Sequence, residues 1–97
     1  MRTNLPIDAT RLWDDLMALA EITDPDRPWT RRAFSTVFLE GRAYVARRMR
    51  EAGLTVRLDT AGNMIGRREG RFPGHKAIVL GSHTDTLPDG GRFDGTA

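Results

Sequence analysis

Ninety-seven residues with 15 basic side chains, 13 acidic ones and no cysteine make at most one small domain. The lack of cysteine removes disulfides, thiolate nucleophiles and sulfur-ligated metal, and it fits a reducing cytoplasm. Arg2, Arg11, Arg27, Arg57 and Arg92 are scattered, and the denser arginine groups are mixed with Glu40, Glu51 and Glu69, which argues against a nucleic-acid surface. No apolar run approaches the roughly 18 residues of a membrane span, and the N-terminus has no apolar core of signal-peptide length.

A first helix is expected to begin near Asp8 to Thr10, where Asp or Thr can cap free amides, with Leu12, Leu16, Leu19 and Ala20 on one stripe. Two prolines and two aspartates in Thr23-Asp24-Pro25-Asp26-Arg27-Pro28 predict a loop. A second helix starts at Ser35 or Thr36, places Phe38, Gly41, Val45, Met49 and Ala52 on one face, and stops at a Gly53 C-cap with Leu54 folding back. Gly41 in mid-helix costs about 1 kcal/mol against alanine, which points to close packing by a neighbour.

The period then changes to two. Leu54, Val56 and Leu58 alternate with polar residues as in a half-buried strand, Ala61-Gly62-Asn63 reads as a turn, and Met64-Ile65-Gly66-Arg67-Arg68 as the partner strand. Arg71-Phe72-Pro73-Gly74-His75 is a further turn, with His75 a solvated side chain. Ala77-Ile78-Val79-Leu80 reads as a strand buried on both faces of an α/β sheet. Trp13 and Trp29 read as packing or surface residues.

The apolar run leads into GSHTDTLPDGGRFDG, residues 81–95, at the strand edge where open α/β sheets place their ligands. His83 and Asp85 are two residues apart, on the same side of extended backbone. Imidazole nitrogen with carboxylate oxygen is ligand chemistry for a divalent ion such as zinc, manganese or cobalt. Asp85 can orient the imidazole through a hydrogen bond or act as a ligand itself; the plainer alternative is a strand-end histidine beside a solvated aspartate. Gly90-Gly91 offers a tight reversal with positive φ, and Gly95 frees the backbone after Asp94, so the loop can carry Asp94 back towards His83. There a carboxylate can bridge two ions about 3.5 to 4 Å apart. On spacing alone, Asp94 is equally well the N-cap of a helix after an ordinary surface turn.

This segment resembles the amidohydrolase branch of the dinuclear-metal aminopeptidase and acylase superfamily, which contains N-carbamoyl-L-amino-acid hydrolases and allantoate amidohydrolases. TRRAFS (30–35), MREAGL (49–54) and DTAGNMIGRREG (59–70) are also similar to family signatures, in the same order, so the resemblance covers nearly the whole chain from Arg11. The compact spacing before Asp94 is similar to the carbamoyl and ureido branch; the peptidase and deacylase branches carry a longer segment there. The resemblance implies that residues 1–97 are the N-terminal part of a layered α/β/α catalytic domain. It implies two divalent metal ions (zinc, manganese, cobalt or nickel) and hydrolysis of the linear C–N bond of N-carbamoyl amino acids or ureido compounds such as allantoate. His83 would be a terminal ligand of one metal, Asp85 would orient it, and Asp94 would bridge both. A Glu-Glu pair with the general base, two further histidines, the residues gripping the substrate carboxylate and a dimerisation domain would lie beyond Ala97. The longer family members would then be cytoplasmic homodimers and this chain inactive alone. Two other readings are a non-catalytic module of the same family and a dinuclear-metal peptidase or acylase.

Overall fold

A computed structural model describes residues 6–94, so Arg2 and Gly95 lie outside the described residues. Helix α1, Ala9–Ala20, starts where expected: Asp8 caps it, Oδ1 accepting from the Arg11 amide at 2.9 Å. Its apolar stripe is buried only towards the C-terminal end, where Leu19 and Ala20 are covered; Leu12 stays 54% exposed. The loop that follows folds on itself. Thr23 Oγ1 accepts from the Thr30 amide at 2.8 Å, and the Asp24 amide donates to the Thr30 carbonyl at 2.8 Å.

Helix α2, Thr36–Glu51, is capped by Ser35, whose Oγ accepts from the Phe38 amide at 3.1 Å. It ends in a Schellman motif: Gly53 takes φ 88°, its amide donates to Arg50 O at 2.9 Å, and the Leu54 amide donates to Met49 O at 3.0 Å. Gly41 and Ala46 are its buried positions, with Phe38, Val45 and Met49 half-buried. Ala52, assigned to the same face by periodicity, is exposed because it is already the C-cap. The two helices are pinned by Asp15, which accepts from Tyr44 Oη at 2.7 Å and from Arg48 Nη2 at 3.2 Å. Arg48 Nε also faces Asp15 at 2.8 Å as an ion pair without hydrogen-bond alignment. The Tyr44 hydrogen bond in particular holds the Asp15 carboxyl below the usual carboxylate range.

Strands β1, Thr55–Leu58, and β2, Met64–Arg67, form an antiparallel hairpin with Val56 opposite Gly66 and Arg57 opposite Ile65. The sheet lies against the end of α2, where a Cβ added at Gly66 would stand 2.8 Å from Met49 Sδ and 3.0 Å from Leu54 Cδ1. Its turn is organised by Asp59. Oδ1 accepts from the Ala61 and Asn63 amides, each at 2.9 Å, and Oδ2 accepts from Asn63 Nδ2 at 2.9 Å.

The α/β character is as expected, but the buried strand is not found. Residues 77–80 pair with no strand among the described residues, and Ile78 and Leu80 are 93% and 91% exposed. A strand of this composition is stabilised by ladder partners on both sides and helices on both faces. The only sheet among the described residues is the β1–β2 hairpin, which supplies neither. Among the described residues no helix is long and apolar enough to cross a membrane.

The Asp59 turn sets a pH dependence. Its hydrogen bonds to the Asn63 side chain and backbone hold the carboxyl below the usual value. A depressed folded-state pKa adds stability above the unfolded value of about 4, and this is lost as pH falls through the folded value. Asp59→Ala is therefore expected to lower the thermal midpoint at neutral pH, with a gap to wild type that narrows in acid. A gap of constant size from neutral to strongly acidic pH would contradict the turn assignment.

Candidate functional site

The segment after residue 80 lacks regular structure, yet its backbone is held at several points. Thr86 is the inner anchor. Its amide donates to Arg31 O at 2.7 Å, and its Oγ1 accepts from the Arg31 amide at 2.8 Å. Further along, the Asp89 amide donates to Thr30 Oγ1 at 2.7 Å and the Gly90 amide to Trp29 O at 3.1 Å. At the rim, Arg27 Nη2 pairs with Asp89 at 2.6 Å, and the Arg92 guanidinium stacks over Trp29 at 4.2 Å. Residues 27–31 thus run as a rail along the loop.

The loop reverses with positive φ at Gly91 (85°), as the Gly90-Gly91 pair allows, and also at Asp89 (55°). Gly90 does not take positive φ and is required for space: a Cβ there would lie 2.8 Å from Leu87 O.

Arg31 is the residue that composition and spacing missed. It is only 5% exposed, and its side chain donates to three carbonyls. Nε reaches Thr84 O at 2.7 Å, while Nη1 reaches Leu19 O at 2.9 Å and Ile22 O at 2.7 Å. Helix α1 has no basic residue in its last turn, so the guanidinium supplies the positive charge its C-terminal end favours. Burial pushes the guanidinium pKa down, and the Asp85 carboxylate opposes that shift. The usable signals were Arg31's place in the TRRAFS block and a glycine in mid-helix. A Cβ on Gly41 would lie 2.8 Å from Arg31 Cδ.

His83 and Asp85 are in contact. His83 Nδ1 lies 3.0 Å from Asp85 Oδ1 and 3.0 Å from Asp85 O. Both oxygens are acceptors, so the contact favours the tautomer with the hydrogen on Nδ1 and the lone pair on Nε2. His83 and Asp85 line a cavity of about 580 Å³ together with apolar side chains such as Leu12, Leu16, Phe38 and Met49 and with the charged Asp15, Arg42 and Arg48. Asp94 is engaged elsewhere: its Oδ2 accepts from the Leu87 amide at 3.0 Å, closing the loop. Among the described residues no group of three histidines, cysteines or carboxylates stands close enough to hold a metal ion.

The chain is similar to known proteins over nearly its whole length. It is 44% identical over 90 residues to an N-carbamoyl-L-amino acid amidohydrolase of Geobacillus stearothermophilus, covering 92% of this chain and 22% of the relative. It is 35% identical over 96 residues to a ureidoglycolate hydrolase of Arabidopsis thaliana, covering 98% of this chain and 20% of that protein. The crystal structure of a hydantoinase/carbamoylase family amidase from Burkholderia vietnamiensis matches with TM-score 0.88 and 40% identity, over 98% of this chain and 23% of that one. The chain therefore spans about a fifth of the length of these relatives. No protein-family model matches it.

The packing of Gly41 on Arg31 gives a direct check. Alanine gains about 1 kcal/mol of helix propensity over glycine. Here its methyl must displace a side chain fixed by three hydrogen bonds, so Gly41→Ala is expected to lower stability and speed hydrogen exchange at the Thr86 amide. A more stable variant with unchanged Thr86 protection would remove Arg31 from the role of anchor.

Proposed function

The chain belongs to the family of N-carbamoyl-L-amino-acid and allantoate amidohydrolases, and from that premise we propose that it contributes part of a two-metal site hydrolysing the linear C–N bond of N-carbamoyl amino acids or ureido compounds. The observation that carries this reading is the pair of acceptors on His83 Nδ1, which turns the Nε2 lone pair over to a cation. His83 would hold one divalent ion, with Asp85 keeping the Nδ1 proton and the ring orientation. Asp94, whose Oδ2 accepts from the Leu87 amide, would share its carboxylate between that ion and a second one. This donor set fits zinc, manganese, cobalt and nickel.

It is a partial set, and we assign the general base and the remaining donors to residues outside 6–94. When bound, the ions supply an activated water and a polarised carbamoyl carbonyl. Water adds to the carbamoyl carbon, the bond to the amino-acid nitrogen breaks, and that nitrogen takes a proton. The carbamate released gives carbon dioxide and ammonia. Apolar side chains of α1 and α2 in the cavity lining, among them Leu16 and Val45, suit the aliphatic part of such a substrate.

The test is a chimera in which this chain replaces the matching segment of the Geobacillus stearothermophilus relative. It is expected to hydrolyse an N-carbamoyl amino acid in a metal-dependent way. His83→Ala and Asp94→Ala should each lower kcat/KM by at least ~100-fold, and Asp85→Asn by about 10- to 100-fold. Undiminished rates in the His83 or Asp94 variant, with metal stripped and restored, would sink the assignment. A dipeptide hydrolysed faster than the ureide would move it to the peptidase and acylase branch.

A further inference from the structure

The segment before the His83–Asp85 contact has no strand pairing among the described residues. Gly81, Ser82 and His83 are exposed, and residues 77–80 have no ladder. What fixes the pair lies on the other side, in the peptide units at Thr84 and Thr86. We propose that Arg31 is the positioning residue of the pair: by donating from Nε to Thr84 O and pairing both ways with the Thr86 backbone and hydroxyl, it locks the backbone around Asp85 so that the Asp85 carbonyl oxygen and Oδ1 face His83 Nδ1.

Three features single out arginine for this task. Its planar fork reaches the loop from Nε and the end of α1 from Nη1 at the same time, which a lysine ammonium on a flexible stem does not do. Its backbone and side chain both bind the loop, so residues 84 and 86, the two neighbours of Asp85, are held by one residue. Its position is itself fixed, because Gly41 leaves no room behind it. The guanidinium makes no ion pair with Asp85 among the described contacts, but its charge is sensed there, since the Asp85 carboxylate favours the charged arginine. Arg31 thus touches no reacting atom and acts through Asp85. Its relevance to catalysis rests on the amidohydrolase reading, whereas its effect on His83 does not.

The experiment uses the 97-residue chain without metal, at mildly alkaline pH. Long-range proton–nitrogen spectra of the imidazole report which nitrogen carries the hydrogen. In wild type the Nδ1–H form of His83 is expected to dominate. In Arg31→Met and Arg31→Lys, with folding verified by amide dispersion, the ratio of Nδ1–H to Nε2–H should fall about tenfold, the worth of one charge-assisted hydrogen bond. A folded variant with an unchanged ratio overturns the proposal.

Should neither variant fold, the wild-type spectrum decides. The Arg31 Nε–H must be protected from solvent exchange and show through-space contact to the backbone of residues 84 and 85; a fast-exchanging Nε–H overturns the proposal. No metal or turnover enters these readouts. A dominant Nδ1–H form together with an inactive chimera would refute the amidohydrolase reading alone.

Discussion

A buried guanidinium governs this structure. Taking a cation out of water costs several kcal/mol unless its donors are met. Arg31 meets that cost with carbonyls alone: Leu19 and Ile22 at the end of α1, and Thr84 in the loop. The rail and the loop share further bonds at Thr86, Asp89 and Gly90, but Arg31 is the residue whose side chain reaches both the end of α1 and the loop. The buried apolar positions among the described residues are Leu19, Ala20 and Ala46, too small a set to fix a long loop by packing. Directional bonds do so, the fork's among them, and the glycine at position 41 follows from the space that fork occupies.

Around this centre the other contacts fall into a hierarchy. Thr30 and Thr86 are buried and bonded through both backbone and side chain, so losing either would strand polar groups away from water. The Arg27–Asp89 pair is mostly exposed, where ion pairs contribute little. The stack of Arg92 on Trp29 sits at the same rim. The rail from residue 27 to 31 is therefore strong at its inner end and weak at its outer end, and the strong end is the one beside Asp85.

What could be read from the sequence follows the range of the interaction. Caps and stops act within four residues, so Asp8, Ser35 and Gly53 gave the helix limits, and alternation in residues 54–58 gave the hairpin. The two-residue spacing of His83 and Asp85 belongs to the same class. The strand expected at residues 77–80 rested on composition alone, and among the described residues the segment is exposed and has no ladder partner. Arg31 is the opposite case. It reaches a backbone carbonyl 53 residues away, and a carbonyl has no residue-type signature for a pattern to find. The mid-helix glycine was the one visible trace, and it marked the need for a close neighbour without naming it.

The support of the site is thus asymmetric. In an open α/β sheet the loop after a strand takes its orientation from that strand. Here the approach through residues 77–82 is exposed, and the order at His83 comes from Thr84 and Thr86, held by a residue between the two helices. That framework needs only α1, α2 and the rail, which pack on one another through local elements and a few long-range bonds. Orientation of the histidine is thus set by contacts within residues 19–86, and it stands without any group of three histidines, cysteines or carboxylates gathered around it among the described residues.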